Sequence, residues 1–129
     1  MKSRAKGCIS TRNYPVAIQL YTKALEVTSS DDASACSILH ANRSMCHINM
    51  GSFQIALDDA NQAEIRDPSY LKAYYRKATA LKALSRLPEA RDVLLKGLSL
   101  KADDKELKML LSKIEEEMKA VSSNGPVVK

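Results

Sequence analysis

The sequence is poor in aromatic residues, glycine and proline, and these shortages limit the folds open to it. Of its 129 residues, 5% are aromatic, with one phenylalanine and no tryptophan, and there are four glycines and four prolines. So few glycines and prolines argue against an all-β fold, which needs many tight turns. The content of 45% hydrophobic and 27% charged residues is typical of one folded domain. Its core must therefore rest on aliphatic side chains and tyrosine.

Other shortages narrow the classes of function. No apolar run is long enough to span a membrane, and no apolar stretch follows the basic start as in a secretory signal. The three cysteines are an odd number without a C-x-x-C pair, which predicts reduced thiols in a reducing compartment. We therefore expect a cytoplasmic protein that does not associate with membranes.

Four potential metal ligands, Cys36, His40, Cys46 and His47, lie close together in the sequence. Their spacing differs from the tighter paired spacings of tetrahedral zinc sites. We interpret them as core side chains and expect neither a metal nor another cofactor.

The net charge of +5 is unevenly distributed along the chain. Residues 1–12 carry four bases and no acid, residues 13–65 carry two bases and six acids, and residues 66–101 carry nine bases and three acids. Two basic blocks therefore flank an acidic segment. They either scatter as solvated side chains or come together as a site for an anion.

Apolar residues recur at helical spacing almost throughout, and strand-like alternation is absent, which predicts an all-α fold. One apolar pattern occurs three times, in the segments 14–27, 53–65 and 87–100. Ala56 and Ala90 are 34 residues apart, whereas Ala17 and Ala56 are 39 apart, which indicates an insertion of five residues. The polar stretch 28–32 is the natural place for that insertion.

Each of these segments follows another helical one, at about 1–11, 33–50 and 69–84. The chain thus divides into three helix pairs of about 1–30, 33–68 and 69–102. Pro15 and Pro88 mark equivalent helix starts, because proline is tolerated in a first helical turn. Asp67 followed by Pro68 predicts the start of the next helix in the same way.

An amphipathic helix is predicted at 103–120, with Leu107, Leu110, Leu111, Ile114 and Met118 on one stripe. Asp103 and Asp104 suit its N-terminus. An array of repeats needs such a terminal helix to cover its last apolar face. We expect the remaining residues, 121–129, to be disordered.

A helix–turn–helix unit of 34 residues with small residues at fixed positions resembles the tetratricopeptide repeat. The second unit carries that pattern at Ser44, His47, Ala56, Ala60, Ala63 and Pro68, and the third at Ala78, Leu81, Ala90, Leu94 and Gly97. The resemblance implies a right-handed α-solenoid of three repeats plus a C-terminal capping helix. In this family the first helix of each pair lines a concave groove.

The groove positions are similar to those of the carboxylate-clamp co-chaperones of this family. Those proteins bind the C-terminal Glu-Glu-Val-Asp tails of the ninety- and seventy-kilodalton heat-shock chaperones. The resemblance implies a carboxylate-binding set of Lys2, Lys6, Asn42, Lys72 and Arg76. Lys6 departs from the family pattern, which has asparagine there. Neighbouring groove residues implied to tune specificity are Ile38, Met45, Asn49 and Tyr75.

Other functions find less support in the residues. The sequence has no glycine-rich phosphate loop and no convincing nucleophile–histidine–acid set, so we expect no enzyme. Asp58 and Asp59 are interpreted as solvated side chains facing away from the groove. The basic surface is short and has no nucleic-acid-binding motif, so no nucleic acid is expected. The alternative function is an assembly scaffold whose groove holds an internal acidic or helical segment of a partner protein.

Overall fold

The computed structural model describes residues 13–124 of the chain, and every element in this range is a helix or a turn. The six helices are α1 (Tyr14–Val27), α2 (Ala33–Asn49), α3 (Phe53–Arg66), α4 (Leu71–Ala83), α5 (Leu87–Leu100) and α6 (Lys105–Asn124). No strand occurs in the described residues, so the predicted all-α class is confirmed. The predicted first helix, at 1–11, lies outside the described residues.

Each helix packs on its neighbour in the sequence, and the first helices of successive pairs also touch. Contacts of this second kind join α2 to α4 and α4 to α6. This arrangement is the stacking of helix pairs predicted for a tetratricopeptide solenoid, with α6 following α4 as a further first helix. None of the six helices within 13–124 combines the length and apolar character that a membrane crossing requires.

Small residues allow the two helices of each pair to approach closely. Ala56, Ala60 and Ala63 of α3 are completely buried, as is Ala90 of α5. A Cβ atom added to Gly97 would come within 3.1 Å of the Tyr74 Cβ atom, which leaves little room there for any side chain. The repeated small residues thus set the distance between paired helices.

Two of the three helix starts that the sequence marks with proline agree with the structure. Pro15 and Pro88 lie in the first turns of α1 and α5, as predicted. The prediction that Asp67 and Pro68 begin the next helix is wrong, because α4 begins only at Leu71. The Asp67 carboxylate instead accepts hydrogen bonds from the backbone and hydroxyl groups of Ser69, which holds the chain in a turn.

The capping helix α6 begins at Lys105 and runs to Asn124, four residues beyond its expected end. The Asp104 carboxylate accepts a hydrogen bond from the Leu107 backbone N–H at 3.0 Å and so caps its N-terminus. Leu107, Leu110 and Ile114 are buried in a core shared with α3, α4 and α5. The helix therefore covers the apolar face of the last pair.

Candidate functional site

Helix α2 supplies one side of the predicted groove. Ile38, Asn42, Met45 and Asn49 recur at helical spacing and lie on one stripe of α2. Ile38 and Asn49 are exposed, whereas Asn42 and Met45 are half-buried. We call the surface formed by this stripe together with Lys72, Tyr75 and Arg76 of α4 the candidate groove.

Two serine hydroxyls on an adjacent stripe fix the orientation of α2. The Ser37 hydroxyl donates to the Ala63 carbonyl oxygen at 2.8 Å, and the Ser44 hydroxyl donates to the Ala56 carbonyl oxygen at 2.7 Å. Both serines are completely buried against α3. Because the serine stripe is bound to α3, the stripe with Asn42, about 100° further around the helix, does not point directly at the partner helix of the pair.

Arg76 is the central cation of α4. Its guanidinium carbon lies 5.4 Å from the centre of the Tyr75 ring, within cation–π range. Its Nε atom is buried and has no hydrogen-bond partner among the described residues. Burial raises the pKa of Cys46 on α2, and the positive charge of Arg76 acts in the opposite sense. The charge of Arg76 therefore influences the Cys46 thiol of α2, while its guanidinium contacts Tyr75 of its own helix.

Lys72 lies one helical turn before Arg76 and is bound by a residue that sequence reasoning missed. The Lys72 Nζ atom donates to Glu106 Oε1 of α6 at 2.8 Å. Further along, the Lys82 Nζ atom lies 2.9 Å from Glu117 Oε2. Since the two pairs follow the same order on both helices, α4 and α6 run in the same direction. A signal was available, because Glu106 stands one 34-residue repeat after Lys72.

The basic segment 66–101 does not converge on the candidate groove as a whole. Lys77 and Lys96 both bind the Glu64 carboxylate, at 2.8 Å and 2.7 Å. Burial would raise the pKa of Glu64, but its hydrogen bonds and ion pairs with the two lysines bring that pKa below its ordinary value. These three residues line a cavity of about 680 Å³ whose other lining residues are Asp58, Asn61, Gln62, Ile65 and Pro68. The two lysines thus serve a different surface from that of Arg76.

Asp59 is buried, so the prediction that it is solvated is wrong, whereas Asp58 is exposed as expected. Arg43 donates two hydrogen bonds to the Asp59 carboxylate, at 2.7 Å and 2.8 Å, and His40 Nδ1 lies 3.0 Å from it. Arg43 also donates to the Thr22 hydroxyl of α1 at 3.0 Å. Burial would raise the pKa of Asp59, but the hydrogen bonds and charges of its two partners hold it below its ordinary value.

The four potential metal ligands do not form a site in the described part of the chain. No group of three or more such side chains there could hold a metal ion. Cys36 and Cys46 are free and buried, and the His40 ring is hydrogen-bonded to Asp59. Burial lowers the pKa of His47, which favours its neutral form.

Only part of the predicted carboxylate-binding set lies within the described residues. The structure brings Lys72 and Arg76 together on α4 and sets Asn42 on the neighbouring helix α2. Lys2 and Lys6 lie outside the described residues. Tyr75 packs beside Arg76, and the Asn49 side chain donates to the Met45 carbonyl oxygen at 3.0 Å.

The sequence of the chain was compared with those of known proteins and protein families. No model of a protein family matches the chain. The chain is 33% identical over 129 residues to the rice (Oryza sativa subsp. japonica) "Protein SGT1 homolog"; the match covers all of the chain and 34% of that protein. The chain thus spans about a third of the length of this curated relative.

Two solved structures are similar over most of their length. The first tetratricopeptide domain of Spaghetti (RPAP3), bound to the HSP90 peptide SRMEEVD, is 28% identical with a TM-score of 0.78, and the match covers 91% of each chain. The second such domain of human RPAP3, in complex with the HSP70 peptide SGPTIEEVD, is 32% identical with a TM-score of 0.74, and the match covers 88% of this chain and 91% of that one. With its stacked helix pairs and 34-residue spacing, the chain belongs to the tetratricopeptide repeat family.

Proposed function

We propose that this domain is a co-chaperone-type interaction module whose candidate groove binds the acidic C-terminal tail of the ninety- or seventy-kilodalton heat-shock chaperones. The observation that carries the proposal is the position of Arg76. Its guanidinium lies beside the Tyr75 ring and, within residues 13–124, has no carboxylate partner. The peptides SRMEEVD and SGPTIEEVD, bound by the two similar domains, both end in the sequence that such a groove would take.

The chemistry of the tail matches the chemistry of the groove. A chain-terminal aspartate carries two carboxylates close together, and each needs several fixed donors. Arg76 and Lys72 supply charged donors, and Asn42 supplies a neutral amide that adds direction without charge. Charge-assisted hydrogen bonds contribute about 1.5–3 kcal/mol each before ordering costs. Three or four of them are compatible with a micromolar complex, about −8 kcal/mol.

The other groove residues receive roles by position. Lys2 and Lys6, outside the described residues, would complete the carboxylate-binding set from the first helix. Ile38, Met45 and Tyr75 would contact apolar side chains upstream of the terminal aspartate, with Asn49 at the edge. The module itself has no catalytic role in this proposal, and its location is cytoplasmic, in agreement with the free thiols of Cys36 and Cys46.

The test is calorimetry with the two peptides, each with a free and an amidated C-terminus. Amidation should abolish binding, because it removes one of the two terminal carboxylates. A groove that holds an internal segment of a partner would bind both forms equally, and that result would contradict the proposal in favour of a scaffold.

Arg76→Ala should weaken binding of the free peptide at least tenfold, about 1.4 kcal/mol. Lys77→Ala is the matched control, since Lys77 is the next residue on α4 but binds Glu64 on another surface. It should leave the affinity within about twofold. Equal affinities of the two variants would remove Arg76 from the site.

A further inference from the structure

The capping helix directs carboxylates at two lysines of α4, of which Lys72 belongs to the candidate groove. Glu106 Oε1 lies 2.8 Å from Lys72 Nζ, and Glu117 Oε2 lies 2.9 Å from Lys82 Nζ. Arg76 lies between the two lysines on α4 and receives no carboxylate from the described part of α6. The helix that completes the fold thus pairs with a lysine on either side of Arg76 along α4 and, in its described part, supplies no carboxylate to Arg76 itself.

The Glu106 contact is held in place by the fold. Its neighbour Leu107 is 1% exposed in the core, and Asp104 caps the same helical turn. The main chain at Glu106 is therefore fixed, and the side chain has only to extend to reach Lys72. Because Lys72 and Glu106 occupy the same position in successive repeat units, the parallel packing of α4 and α6 sets them side by side.

We propose that Glu106 is an internal competitor for the peptide carboxylate and sets the affinity of the groove through Lys72. The inference rests on the proposed function. In the free domain the Lys72 ammonium binds Glu106. A peptide carboxylate must therefore either displace Glu106 from the ammonium or share the ammonium with Glu106. An ammonium has three N–H donors and can donate to two carboxylates at once, but sharing brings two negative charges together. Both routes make Glu106 lower the affinity for an acidic tail.

The experiment compares Glu106→Gln with Glu116→Gln in calorimetry with SRMEEVD. The two variants change the net charge equally and lie on the same helix, but Glu116 is exposed and has no ion-pair partner among the described residues. Glu106→Gln should bind about two- to fivefold more tightly than the native domain, the range expected when an exposed ion pair no longer competes. Glu116→Gln should bind as the native domain does.

A double variant tests whether the effect passes through Lys72. In a Lys72→Ala background, Glu106→Gln should change the affinity by much less than in the native background. A ligand-free measurement is the acylation rate of Lys72 by an amine-reactive ester, read by mass spectrometry. It should rise in Glu106→Gln while that of Lys113, an exposed lysine on α6, stays constant.

The outcomes separate the two proposals. If Glu106→Gln and Glu116→Gln bind equally, or if Glu106→Gln binds more weakly, Glu106 is not a competitor, although the groove still binds peptide. If the native domain and every variant fail to bind, the proposed function itself is overturned, and the competitor role falls with it.

Discussion

Two neighbouring aspartates show how far a residue's role depends on its position on a helix. Asp58 and Asp59 are adjacent in the sequence, yet Asp58 is exposed beside Gln54 and Asp59 is buried against α2. A step of one residue turns the side chain by about 100° around the helix axis. The sequence alone could not assign the ion pair, because the partner Arg43 comes from another helix. The 34-residue spacing predicted the alanines around Asp59 but carried no information on charge pairing.

The network around Asp59 joins three helices, since Arg43 also contacts Thr22 of α1. We predict that Asp59→Asn destabilises the domain by about 3 kcal/mol, because it leaves Arg43 largely buried without its counter-charge. Asp58→Asn should change the free energy of unfolding by less than about 0.5 kcal/mol. Urea unfolding of both variants at neutral pH measures the difference, and equal losses would show that the buried pair does not stabilise the fold.

The same network has a defined pH dependence. The pKa of Asp59 in the folded state lies below its ordinary value of 3.8, so its contribution to stability is complete above that value. The contribution is lost as the pH falls through the folded-state pKa. The stability gap between the native domain and Asp59→Asn should therefore shrink under strong acid, as urea unfolding at low pH would show.

At the scale of helices and turns, the repeat spacing predicted most of the fold and missed how the turns are made. The helices α2 and α4 end in equivalent turns, with Gly51 and Ser85 in the left-handed region at φ of 83° and 63°. In both turns the following residue donates a backbone hydrogen bond to a carbonyl five residues earlier, at 2.8 Å. The sequence does not reveal that the two turns are equivalent, because the second turn has Ser85 where glycine is the usual signal of this conformation.

Ser85→Gly should stabilise the domain by about 0.5–1 kcal/mol, because glycine takes a positive φ without steric cost. Gly51→Ser is the reciprocal variant and should destabilise by a similar amount. A Cβ atom at position 51 meets nothing within 4 Å, so the backbone alone carries the cost. Thermal unfolding of both variants measures the two effects. A loss of stability in Ser85→Gly would mean that the serine side chain has a role the turn geometry does not reveal.

At the scale of the whole molecule, the two halves of the prediction depend on different physics. The helices and their order follow from apolar periodicity within the sequence, and the described helices agree with it. The candidate groove depends on which charges meet after folding. Ion pairs with Glu64, Glu106 and Glu117 bind four lysines of the basic segment 66–101. The block charge therefore left open whether the cations scatter or form a site for an anion, and it could not identify which of them lack a carboxylate partner after folding.

The capping helix takes part in both the fold and the candidate groove, since it closes the core and supplies Glu106, which binds Lys72. Its buried stripe packs into the cluster that contains Tyr74 and Leu94. We predict that Ile114→Ala destabilises the whole domain by about 2–5 kcal/mol, because Ile114 is completely buried and its removal leaves a cavity. Met109→Ala is the matched control on the same helix, at a residue that is 62% exposed, and should change little.

Urea unfolding followed by circular dichroism measures both variants, and the shape of the transition carries as much information as its midpoint. Because one core cluster joins α3, α4, α5 and α6, Ile114→Ala should lower the midpoint of a single cooperative transition. If α6 instead unfolded separately, a first transition would appear while the rest of the domain stayed folded. That result would mean that the helix carrying Glu106 is an independent element, and that the last helix pair is stable without its cap.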